Sequence, residues 1–142
     1  MNPGNYDLSR NLHRITLYNT VSAGHQHASN RRPRLYLHLD MNCFYAQIEQ
    51  QSYNLFGIPV IVGGWRKPDG TPRGIVATSS YEARKLGIRT GMSHLEAFRL
   101  CPYLVPLQVH YEKYQAIGRE IEAVLRGFAP EVEGYTMDES FL

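Results

Sequence analysis

Three carboxylates stand where they could do chemistry. Asp40 ends the apolar run Leu35-Tyr36-Leu37-His38-Leu39 and is followed closely by Asn42 and the aromatic pair Phe44-Tyr45. Asp138 and Glu139 are adjacent acids in a segment otherwise made largely of Tyr135, Met137, Phe141 and Leu142. Carboxylates beside apolar strand residues are costly to desolvate unless a cation compensates them. Three that converge repel one another and raise each other's pKa unless a divalent metal sits among them. Mg²⁺ is the usual hard cation, held by a few carboxylates together with substrate phosphates. That set is the two-metal template for in-line phosphoryl or nucleotidyl transfer. Each acid also has a plainer reading, Asp40 as a turn cap and Asp138-Glu139 as a solvated loop tip. Taken one at a time, the plainer reading is the better one.

The elements that must position these acids are legible in part. Leu35–Leu39 is a compact strand signal ending at Asp40. Phe44, Ile48 and Leu55 fall on one face of a helix. Val60-Ile61-Val62 is a short β-branched strand closed by Gly63-Gly64. Asp69-Gly70 signals a hairpin turn, with Gly74-Ile75-Val76-Ala77-Thr78 as the returning strand. Ser79 with Glu82 and Ser93 with Glu96 have capping-box spacing. They predict one helix from near Ser80 to Gly87 and another ending before Pro102. Tyr111, Tyr114, Ile117, Ile121, Val124, Leu125 and Phe128 describe the apolar face of a long helix that Pro130 stops. Tyr135 to Leu142 reads as a last strand, or a strand and a turn. The alternation of strands and helices implies an α/β or α+β fold.

Charge separates the chain into two parts. Residues 1–34 carry five Arg against Asp7 alone, whereas residues 35–142 carry ten Lys or Arg against twelve acids. The basic character belongs to the leading segment, so the sequence pI is no nucleic-acid footprint of the folded part. That segment reads as a disordered basic extension, with a short strand at best at the island Ile15-Thr16-Leu17-Tyr18. An Arg-rich, acid-poor start also fits a transit peptide, though without a clean amphipathic period. His25 and His27 read as a polar tail before a metal clip. The 43% hydrophobic content is enough for a core, and no apolar run has the length of a membrane span. Cys43 and Cys101 lack zinc spacing and read as buried free thiols of a reducing compartment.

Four segments together resemble the Y-family (translesion) DNA polymerases, and within them a polymerase IV-like branch. Leu39-Asp40-Met41-Asn42-Cys43-Phe44-Tyr45-Ala46-Gln47-Ile48-Glu49 is similar to the first catalytic motif. Ala77-Thr78-Ser79-Ser80-Tyr81-Glu82-Ala83-Arg84-Lys85-Leu86-Gly87-Ile88 is similar to the nucleotide-contacting segment. Gly91-Met92, Glu96-Ala97 and Leu100-Cys101-Pro102 continue the pattern, and Thr136-Met137-Asp138-Glu139-Ser140-Phe141-Leu142 resembles the second catalytic motif. The resemblance covers residues 35–142 in the family's order.

What it implies is specific. The fold would be α+β, a partial polymerase palm (a ferredoxin-like sheet with helices) at 35–43 and 108–142 and a small fingers subdomain at 44–107. Asp40, Asp138 and Glu139 would be the catalytic carboxylates, holding two Mg²⁺ ions with the carbonyl of Met41. Tyr45 would be the steric gate against a ribose 2′-hydroxyl. The amides of Phe44 and Tyr45, with Thr78, Tyr81, Arg84 and Lys85, would bind the nucleotide triphosphate; a hydroxyl, a phenol and a guanidinium all donate to phosphate oxygens. Arg84 would also lie near a helix start, where backbone amides favour anions. Val76 and Ala77 would leave room over the nascent base pair.

Against these roles stand ordinary ones. Tyr45 reads as core, Thr78 as a strand residue, and Arg84 as the ion-pair partner of Glu82 or Glu96. His38, His94 and His110 read as structural or surface histidines. Asn42 departs from the pattern, since many relatives carry a second acid there. The implied partners are primer-template DNA and dNTP, with a sliding clamp reached through regions absent here, in a cytoplasmic monomer. With the rest of the palm, the thumb and a further DNA-gripping domain absent, the 142-residue chain is expected to be weak or inactive alone. The alternatives are a non-catalytic adaptor of a DNA-repair complex, which would have lost its carboxylates, and a nucleotide cyclase, which has no reason to carry Tyr45 or Tyr81-Glu82-Ala83-Arg84.

Overall fold

The structure is a computed structural model that describes residues 12–19 and 35–142. It divides into two compact units. One contains the described residues up to Asn42 together with Gln115–Leu142, and the other is Cys43–Tyr114.

The first unit is built on a four-stranded sheet ordered β1-β2-β9-β8, with β1 at Leu12–Asn19, β2 at Leu35–Met41, β8 at Glu133–Gly134 and β9 at Glu139–Phe141. All its pairings are antiparallel. Side chains alternate along a strand, so Leu37, Leu39 and Met41 share one face of β2 while His38 and Asp40 share the other. Leu39 and Met41 are buried. β2 therefore presents its core residues on one side and its acid on the opposite side. The helix α4, Tyr111–Leu125, crosses the division after Tyr114. Its Gly118 comes so close to the segment ahead of β9 that a Cβ there would lie 2.8 Å from the Met137 carbonyl oxygen.

The second unit holds a three-stranded sheet ordered β6-β3-β7, from β3 (Val60–Val62), β6 (Thr78–Ser79) and β7 (Val105–Leu107), and a ribbon of β4 (Trp65–Arg66) with β5 (Pro72–Arg73). Three helices accompany them: α1 at Phe44–Ser52, α2 at Tyr81–Lys85 and α3 at His94–Leu100. Ile61, Val76, Ala83, Ile88, Ala97, Cys101 and Leu104 form its buried core. Cys43 and Cys101 are buried free thiols.

Several expectations need correction. Within the segment read as a disordered extension with a short strand at best at Ile15-Thr16-Leu17-Tyr18, Leu12–Asn19 is a longer strand paired along β2, while the remainder, His25 and His27 included, lies outside the described residues. Leu55 lies beyond α1, which ends at Ser52. The turn at Asp69-Gly70 exists, with Thr71 N–H bonded to the Asp69 carboxylate at 2.8 Å, yet β4 returns through Pro72–Arg73. Gly74, with φ of 99°, follows the end of β5, and a Cβ there would lie 2.8 Å from the Gly64 Cα. Thr78–Ser79 pairs instead with β3. The cap of α2 is Ser80, whose hydroxyl accepts from Ala83 N–H, while Ser79 donates to the Ile88 carbonyl. α4 stops at Leu125, leaving Phe128 81% exposed rather than on an apolar face.

Candidate active site

The acids of the first unit are set by register. Asp40 pairs directly with Glu139, and His38 with Phe141. Opposed residues of an antiparallel pair share a face. The His38 and Phe141 rings confirm it, stacking with centroids 4.6 Å apart. Asp138 follows on the next rung, where its carbonyl accepts from Met41 N–H at 2.9 Å. Two strands far apart in sequence thus bring Asp40, Asp138 and Glu139 onto neighbouring rungs.

Two of the three side chains have neighbours already. The Thr136 hydroxyl donates to the Asp138 carboxylate at 2.8 Å, and His38 Nε2 lies 3.8 Å from the Glu139 carboxylate. Among the described residues no three His, Cys, Asp or Glu side chains are gathered as a metal-binding group. The donor set fits a hard divalent cation in chemical type, all carboxylate oxygen, and in register. It is not drawn together as a coordination shell.

In the second unit the phosphate-binding candidates occupy α1, β6 and α2. Cys43, at the N-cap of α1, has a left-handed φ of 53° and makes no side-chain cap bond. The first-turn amides, those of Phe44 and Tyr45, therefore receive no help from the cap and are suited to an anion. Burial raises the Cys43 thiol pKa above its ordinary value, Arg84 working against that and Glu82 with it. Phe44 is buried, Tyr45 partly so, and Thr78 is buried in β6 opposite Val62. Tyr81 and Arg84 sit partly buried on α2, with Lys85 exposed. Arg84 Nε donates to the Ser79 carbonyl at 3.2 Å, and the Glu82 carboxylate accepts from Gln50. With only five residues, α2 has too little helix for a dipole argument, so any anion binding there rests on side chains. Val76 belongs to the core and cannot roof a substrate, whereas Ala77 is exposed.

Two groups were missed from sequence. The Tyr45 ring lies flat on that of Tyr114, centroids 4.4 Å apart and planes 14° from parallel. Beneath them Glu49, fully buried, accepts from Lys113 Nζ at 3.0 Å, with His110 Nδ1 3.1 Å from its other oxygen. His110 is thus a partner of a buried charge, a structural role in keeping with its reading from sequence. Burial alone would raise the Glu49 pKa, but Lys113, Tyr114 and His110 outweigh it and hold the carboxyl below its ordinary value. The Tyr114 hydroxyl is buried without a hydrogen-bond partner among the described residues and feels this charge. Burial first, and then Glu49, push its pKa well above the usual phenol range. An acid one turn after Tyr45, on a face otherwise buried, was the signal that could have found this cluster.

Comparison with known proteins gives a consistent result. The profile of the impB/mucB/samB family matches residues 39–142. A DNA polymerase IV from Pasteurella multocida (strain Pm70) is 40% identical over 110 residues, 77% of this chain and 30% of that protein. A DNA polymerase IV from Streptococcus pneumoniae serotype 2 (strain D39 / NCTC 7466) is 39% identical over 114 residues, 80% of this chain and 32% of that protein. Among solved structures, the insertion ternary complex of Dbh DNA polymerase matches with TM-score 0.66 at 30% identity, covering 75% of this chain and 31% of that one. DinB from Sulfolobus solfataricus matches with TM-score 0.65 at 30% identity, covering 75% and 30%. The chain spans about a third of the length of the relatives it matches.

Proposed function

The chain belongs to the impB/mucB/samB family of Y-family DNA polymerases, and from that premise we propose that it serves template-directed, translesion-type DNA synthesis, adding dNTPs to a primer end by two-metal nucleotidyl transfer. The observation that carries the reading is the rung on which Asp40 faces Glu139, with Asp138 beside it. We assign residues 35–43 and 108–142 to the palm and 44–107 to the fingers, bounds that differ from the two compact units at Cys43 and at 108–114.

Asp40, Asp138 and Glu139, with the Met41 carbonyl, would hold Mg²⁺, as two ions. Bound there, Mg²⁺ would supply positive charge suited to lowering the pKa of a primer 3′-hydroxyl and offsetting the charge of a leaving pyrophosphate. The chain's own residues do the rest. The Arg84 guanidinium and Lys85 ammonium neutralise phosphate charge; the Thr78 and Tyr81 hydroxyls and the Phe44 and Tyr45 amides donate to phosphate oxygens. The Tyr45 ring occupies the room a ribose 2′-hydroxyl would need. Primer-template DNA as partner and a cytoplasmic location belong to the same proposal. Among the described residues no helix is long and apolar enough to cross a membrane.

Titration with Mn²⁺, a paramagnetic stand-in followed by electron spin resonance, tests the carboxylate assignment in the presence of dNTP. Asp40→Asn and the pair Asp138→Asn, Glu139→Gln should each weaken Mn²⁺ binding by about tenfold or more, since affinity follows the charge of the ligand set. Binding unchanged in both variants would overturn the assignment.

A further inference from the structure

Glu49 is the most deeply buried acid of the second unit, and nothing assigned above uses it. It lies one turn after Tyr45 on α1. Lys113 Nζ bonds one of its oxygens at 3.0 Å and His110 Nδ1 stands 3.1 Å from the other. Lys113 also donates to Ser52 Oγ at 3.0 Å, a further turn along α1. The next residue after Lys113 is Tyr114, whose ring carries Tyr45, and Tyr111 packs edge-on against Tyr114 with centroids 6.5 Å apart. Tyr45 and Glu49, successive turns of α1, are therefore both matched to the stretch His110–Tyr114.

A buried ion pair is a poor source of stability, because apolar residues of similar volume serve as well or better. What it adds is fixed geometry: both carboxylate oxygens must meet their donors together, whereas two stacked rings slide past each other at little cost. We propose that Glu49, held by Lys113 and His110, is a positioning residue that seats Tyr114 and through it the Tyr45 ring, and so sets how strictly a 2′-hydroxyl on the nucleotide is rejected. The inference rests on the reading of Tyr45 as the sugar gate.

The test uses the 142-residue chain with Mg²⁺ and two probes, dATP and ATP, whose binding is measured by calorimetry, alongside proton NMR of the Tyr45 ring. In the parent, dATP binds more tightly than ATP and the Tyr45 protons are shifted upfield by the Tyr114 ring. In Glu49→Gln the upfield shift shrinks and the dATP preference falls about fivefold or more, with dATP affinity itself nearly unchanged, because misplacing a positioning group costs discrimination first. Lys113→Met, at a partly exposed site, does the same to a smaller degree and serves if Glu49→Gln does not fold; Lys113→Arg restores the parent ratio. Unchanged ring shift and unchanged preference in a folded variant overturn the role of Glu49. A parent that binds both nucleotides equally overturns the gate reading and the inference with it. A parent that binds neither overturns the nucleotide-binding proposal itself, a result distinct from the other two.

Discussion

At the scale of single residues, burial decides which acids matter for folding and which remain for chemistry. The Glu49 side chain is fully buried, while Glu139 is about a third exposed. Since partners hold the folded pKa of Glu49 below its ordinary value, the unfolded chain takes up the proton first as pH falls. Its stabilisation is complete above the unfolded pKa of about 4.3 and is lost as pH drops through the lower folded value. Urea melts should therefore show a loss below about pH 4.5 that is smaller in Glu49→Gln, where Glu82, also held low, still contributes. Glu49→Ala, leaving Lys113 without its acid, should cost about 3 kcal/mol; this is the low end for a broken buried pair, because Lys113 and His110 reach solvent. Tyr45→Ala should leave the fold intact and remove the preference for deoxynucleotides in a binding assay.

At the scale of elements, two contacts hold the candidate groups in place. Ser80 Oγ accepts from Val60 N–H at 3.1 Å and from Ala83 N–H at 3.3 Å, tying α2 to β3. Ser80→Ala removes a helix cap and a buried acceptor together and should lower stability by about 2–3 kcal/mol in denaturant melts. Gly118 is the point where α4 meets the chain ahead of β9, so Gly118→Val must push on the Met137 backbone. A loss of about 1–3 kcal/mol is expected, together with weakened Mn²⁺ binding at Asp138 and Glu139. Signals carried by a few consecutive residues were legible in the sequence: Val60–Val62 is β3 as read, and Ser93 caps α3. Features set by distant partners were not. Nothing near Leu12 shows that it will pair with β2, and choosing Ser80 over Ser79 as the cap needs the Ile88 carbonyl that engages Ser79. The three acids stood out as carboxylates beside apolar residues, and the resemblance to the family gave them a shared role. Tyr114 and Glu49 were hidden because each looks like an ordinary member of its helix until the other helix is present.

At the scale of the molecule, β1 lies outside the residues that match the family, yet it covers one long side of β2, the strand that carries Asp40. Removing residues 1–34 should bare the N–H and C=O groups of that side. The shortened chain should then self-associate with rising concentration in light scattering, while the parent stays monomeric. The larger claim is that Asp40, Asp138 and Glu139 serve template-directed synthesis, and primer extension by the native-length protein with Mg²⁺ and dNTPs examines it most directly. The account predicts extension opposite the template base, abolished by Asp138→Ala with Glu139→Ala although the variant still folds. A folded, DNA-binding parent that never extends the primer, or extension that survives the double substitution, would contradict it.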